Sequence, residues 1–164
     1  MNLGYFKPNN KNIFVTRYQT TGEIAGAILK AIKDSQESAH KLAPYFKNSD
    51  PVQSCKLIFM FCKGLIPYKM ESADQQTART LNRILQDAHK GGDCKHYATV
   101  CATMCKALNI PCSLRLISQR AGTKQPNHIY CVAFNKGNEI IIDPVLKNFD
   151  TEARYNYKFD IKIK

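Results

Sequence analysis

Nucleophilic acyl transfer needs a thiol or hydroxyl that can be ionised, an imidazole beside it and a carboxylate to orient the ring. This 164-residue chain has seven cysteines and four histidines from which to assemble such a set. Three of the cysteines fall in "GGDCKHYATVCATMCKALNIP", residues 91–111. On a helix beginning near Asp93, positions 94, 98, 101, 105 and 108 share one face. Cys101 and Cys105 then read as small buried hydrophobes, as free cysteine commonly is. The cysteines lack the close pairs of an ordinary zinc site, so no metal is expected. Cys94 differs. It occupies the first turn, where unsatisfied N–H groups and the helix dipole favour a thiolate. Gly91 and Gly92 permit a sharp turn and are read as leaving room for substrate beside the sulfur. Asp93 is placed to cap the helix. Its charge opposes a thiolate, so a second activating group is needed.

Of the histidines, His40 and His89 lie on polar helix segments, and His96 is two residues from Cys94 on the same helix, where side chains do not face each other. His128 opens the apolar run "HIYCVAFN". If Lys136–Gly137 is a two-residue hairpin loop, Asn135 pairs with Asn138 and Tyr130 lies opposite Asp143. His128 and Asp143 are then diagonal neighbours on one sheet face, roughly 7–8 Å apart in backbone position. A carboxylate ending "EIIID" also needs a partner if that strand is buried. The same residues have structural readings: Cys94 as a buried thiol, His128 as a satisfied strand-end residue, Asp143 as a turn-former before Pro144.

The elements that must position these groups read as helices first and strands second. A helix is expected from Thr20, with Glu23 at capping-box spacing and Ile24, Ile28 and Ile32 at helical period, fading toward Pro44. Asp50 and Pro51 start a second helix whose stripe is Val52, Cys55, Ile58, Phe59 and Cys62, ending at Gly64. A third is expected from Ser72 to about His89, burying Ala78, Leu81, Ile84, Leu85 and Ala88. The fourth carries Cys94 and closes at Asn109. After Pro111, "CSLRLIS", "HIYCVAFN" and "EIIIDPV" have strand composition. The expected class is α+β, with the nucleophile-bearing helix packed on an antiparallel sheet. One domain over 1–164 is expected, with a core at about 51–146 and an N-terminal helical extension, 1–50.

The motifs "GGDCKHYATVCATMCKALNIPCSLRL", "NHIYCVAF" and "EIIIDPVL" together resemble the transglutaminase-like superfamily of papain-type cysteine enzymes. "GLIPYKMESADQQTARTL" resembles the segment upstream of the cysteine in that family. The resemblance implies Cys94 as nucleophile, His128 as base and Asp143 as orienting acid. It implies cysteine-dependent acyl transfer through a thioester, most simply hydrolysis of peptide, isopeptide or amide bonds. The version here is most similar to small bacterial or phage-type members, which gives a second reading: a non-catalytic component of a phage particle that keeps the fold. The family often has His-Ala-Trp where this chain has His128-Ile129-Tyr130, which alters the expected wall of the cleft at Tyr130. Candidate oxyanion or supporting groups are the Cys94 N–H, Gln86, Gln76 and Asp93.

The expected partner is a protein or peptide, with phage structural proteins a further candidate, and no cofactor is required. A net charge of +11 is spread without a long basic run, and no recognition motif accompanies it, which disfavours nucleic acid. No stretch approaches a membrane span, and "MNLGYFKPNNKN" lacks a signal-peptide core. The expected location is therefore the bacterial cytoplasm or a virion.

Overall fold

The computed structural model describes residues 13–16, 21–72 and 74–164. The reading of residues 1–12 and the Thr20 cap lie outside them. The elements run β1 (Ile13–Thr16), α1 (Thr21–Asp34), α2 (Gln36–Leu42), α3 (Pro51–Leu65), β2 (Gln76–Arg79), α4 (Leu81–Gln86), α5 (Cys94–Ala107), β3 (Cys112–Ser118), β4 (His128–Asn135), β5 (Asn138–Ile142) and β6 (Tyr157–Lys162). Short 3₁₀ turns follow α2 and α4. The class is α+β, as expected.

The main sheet is antiparallel in the order β5-β4-β3-β6. Asn135 pairs with Asn138, and Lys136 and Gly137 have φ of 50° and 85°, the geometry of a two-residue hairpin turn. One face of the sheet, including Leu114, Leu116, Ile129 and Cys131, packs into the principal core with α5. The other face carries Ile117, Tyr130, Val132 and Ile141. On that face Arg115 is buried and ion-paired to Glu139, Glu152 and Asp160. β6 was not expected. Its alternation of Lys158, Asp160 and Lys162 with apolar residues looks polar in sequence, yet Phe159 and Ile161 pack on the core.

Helix α5 is buried on nearly every side, not on one stripe. The sheet covers one flank, while α1, α2, α3 and α4 cover the others. The helices of residues 21–50 contribute Ile28, Ile32, Ala39 and Leu42 to the same core. Asp50 accepts a hydrogen bond from the Val52 N–H at 2.9 Å, and Pro51 opens α3. That helix continues through Gly64 to Leu65.

The long helix expected over residues 72–89 is replaced by a strand and a single short helix. Residues 76–79 pair antiparallel with β1, and Thr80 is extended before α4. The Glu71 carboxylate accepts the Thr77 N–H at 2.7 Å and so holds the chain out of helix. Ala78, Leu81, Ile84, Leu85 and Ala88 are all buried nonetheless. A period that suits a helix therefore also suited a strand followed by one helical turn and a half. Among the described residues, no helix is long and apolar enough to cross a membrane.

Candidate active site

Cys94 is the first residue of α5, so its own N–H has no acceptor within the helix. Asp93 caps the helix by accepting the Lys95 N–H at 3.2 Å, and the His96 ring accepts the Asp93 N–H at 3.1 Å in return. His96 thus serves the cap rather than Cys94. Burial would raise the Asp93 carboxyl, but bonding to His96 and the charge of Lys95 hold it well below the usual carboxylate range. Lys95, itself buried, pairs with Asp93 and lies 3.4 Å from Glu71. The Asp93 charge that would oppose a neighbouring thiolate is therefore largely offset.

Gly91 and Gly92 do not open the cleft. They receive the segment 67–69: the Gly92 N–H donates to the Pro67 carbonyl at 3.0 Å, and the Lys69 N–H donates to the Gly92 carbonyl at 2.9 Å. A Cβ on Gly91 would stand 2.8 Å from the Pro67 oxygen, and one on Gly92 would stand 2.9 Å from the His96 Cβ. Their function is close backbone approach.

The structure brings His128 and Asp143 together. Nε2 of His128 lies 2.7 Å from Asp143 Oδ2, and the other carboxylate oxygen accepts the Val145 N–H at 3.1 Å. Burial pushes the ring toward neutrality, but hydrogen bonding to Asp143 and to Cys94 outweighs it and raises the imidazole to about 9. With Nε2 engaged by Asp143, Nδ1 is the nitrogen left for the Cys94 sulfur. Tyr130 is not part of the cleft wall. It shares a sheet face with His128 but lies one residue pair further along the strand, and its hydroxyl donates to Glu152 at 2.7 Å. Its ring lies 5.5 Å from that of His128, which it supports from the side.

Cys94 and His128 share a cleft of about 520 Å³ that also contains Tyr68, Met70, Glu71, Gln76, Arg120 and Leu146. Gln76 lines it, with Nε2 donating to the Ser72 carbonyl at 2.7 Å. Gln86 lies on α4, outside the cleft lining. Asp93 lines the cleft but, being ionised, only accepts hydrogen bonds, so it supports the helix start and cannot stabilise an oxyanion. Tyr68 had not been singled out. It is bridged to Gly92, and burial together with the charges at Cys94, Asp93 and Asp143 keeps its phenol protonated. Its place within the upstream segment "GLIPYKM" was the available signal. Separately, the sulfurs of Cys105, Cys112 and Cys131 converge in the core, all within 4.8 Å of one another.

A family model described as the transglutaminase-like superfamily matches residues 25–155. The chain belongs to the transglutaminase-like superfamily. Among solved structures, a candidate cysteine protease from Cytophaga hutchinsonii is similar to this transglutaminase-like chain at 19% identity and a TM-score of 0.52. The match covers 80% of this chain and 48% of that one, so the chain spans about half the length of its structural relative. That likeness bears on the fold. No curated protein is significantly similar in sequence. Membership in a transglutaminase-like family supports a cysteine-dependent enzyme in general terms.

Proposed function

We propose that the chain hydrolyses peptide, isopeptide or amide bonds through Cys94, His128 and Asp143. The observation that carries this reading is His128, held by Asp143 at 2.7 Å, lining the same cleft as a half-buried cysteine at a helix N-terminus. In this scheme the Cys94 thiolate attacks the substrate carbonyl. The His128 imidazolium protonates the departing amine, leaving a thioester. Water then attacks, His128 takes its proton, and the acid leaves as the Cys94 sulfur is released. An amine arriving in place of water yields a new amide by the same steps. Asp143 orients the ring throughout and stabilises the imidazolium each time it forms. The free N–H of Cys94 and the Tyr68 hydroxyl are the donors for the developing oxyanion.

The other six cysteines are buried, which makes the first step testable without a substrate. Iodoacetamide at neutral pH should alkylate Cys94 at least about tenfold faster than any other thiol. The rate should fall in His128→Ala. Uniformly slow labelling of the folded protein would remove the basis for the reading. A peptide library followed by mass spectrometry then identifies the cleaved bond, and Cys94→Ala should abolish its cleavage.

A further inference from the structure

Six of the seven cysteines take no part in this chemistry, and their arrangement is not random within the core. Cys105 comes from the end of α5, Cys112 from the start of β3 and Cys131 from the middle of β4. In the register of β3 and β4, Cys112 faces Ala133 and Cys131 faces Leu114, so the two cysteines are diagonal neighbours on the face that receives α5. Their sulfurs and that of Cys105 all lie within 4.8 Å of one another. A fourth buried thiol, Cys55 of α3, belongs to the same core but stands outside this group of three. All four side chains are buried.

We propose that Cys105, Cys112 and Cys131, with Cys55 as the fourth donor, form a structural site for one soft tetrahedral metal ion, zinc being the ordinary occupant. Sulfurs at about 2.3 Å from a zinc ion stand roughly 3.8 Å apart, a spacing that three sulfurs within 4.8 Å of one another approach, and Cys55 closes on them as the metal binds. Sequence spacing hides the set, because its members are drawn from a helix pair and two strands rather than from a short Cys-x-x-Cys loop. The site is closed, with no open coordination position on the cleft, as structural sites are. Binding releases the thiol protons as the metal–sulfur bonds form, and it ties α3 and α5 to the sheet. Cys62 and Cys101, whose sulfurs are 3.7 Å apart, are a separate pair and serve as internal controls.

The test uses the full chain, expressed in zinc-supplemented medium and purified under reducing conditions without chelator. Elemental analysis should find about one zinc per chain, and X-ray absorption should show a sulfur-only shell near 2.3 Å. Cobalt refolded into metal-free protein should give intense thiolate-to-metal charge-transfer bands. Cys131→Ala should lose the metal, whereas Cys62→Ala and Cys94→Ala should keep it. If Cys131→Ala does not fold, the stoichiometry and absorption spectrum of the unaltered chain still decide the matter. Less than about a tenth of an equivalent of metal with no cobalt bands overturns the proposal, as does a disulfide among these four residues or loss of metal in Cys94→Ala. Retention of Cys94 reactivity in metal-free protein would leave the hydrolase reading standing on its own evidence.

Discussion

Replacing Asp143 with Asn keeps the shape of the side chain but removes the charge that holds His128 protonated. In the folded protein the imidazole is raised from its ordinary 6.5 to about 9. The side chain is only 10% exposed, so solvent screens the pair little. The difference corresponds to about 3 kcal/mol in favour of the folded, protonated form. Because the folded-state value lies above the unfolded one, this stability is fully present below about pH 6.5 and is lost as pH rises through about 9. In Asp143→Asn burial, the largest single influence on the ring, is opposed only by Cys94 and moves the ring back toward neutrality. Denaturant unfolding between about pH 6 and pH 9.5 should show the decline of about 3 kcal/mol in the unaltered chain and less than about 1 kcal/mol in the variant. Imidazole proton resonances give the titration directly. If His128 still titrates near 9 in Asp143→Asn, the carboxylate is not what holds the ring charged, and the proposed role of Asp143 is refuted.

Arg115→Ala should cost about 3 kcal/mol, since it leaves Glu139, Glu152 and Asp160 crowded on one face without their cation. The Arg115 guanidinium holds Glu139 below its usual range, so that stabilisation is lost as pH falls through the carboxylate range, and the gap between variant and parent in urea unfolding should narrow in acid. Gly91→Ala should destabilise by at least about 2 kcal/mol, because φ is +82° and the new Cβ meets the Pro67 carbonyl. A thermal scan showing no change for Gly91→Ala would mean that the 67–69 segment is not held where the structure puts it.

The candidate site was legible because its spacing depends on local rules: a helix start fixes Cys94, and one tight turn fixes the register of His128 against Asp143. The turn residues Lys136 and Gly137 adopt the left-handed geometry that such a register requires. The segment between residues 72 and 89 was misread because its strand pairs with β1, sixty or more positions away, and Glu71 captures the Thr77 amide. No local pattern encodes a partner at that distance. Gly91 and Gly92 were assigned to substrate for a similar reason: glycine beside a reactive residue signals close approach, but not by what. Here the visitors are the Pro67 backbone at Gly91 and the His96 side chain at Gly92. Tyr130 was assigned from the family resemblance, and its hydroxyl instead meets Glu152.

The hydrogen bonds that fasten residues 67–69 to Gly92 make one wall of the cleft part of the same rigid piece as the sulfur. The opposite wall, with Gln119, Arg120, Pro126 and Asn127, belongs to the loop joining β3 to β4, whose base is tied by Asn127. The sulfur and this second wall are thus mounted on different supports. Under the proposed function, the loop beyond its base can be lengthened, shortened or recharged to suit another substrate without moving the cysteine.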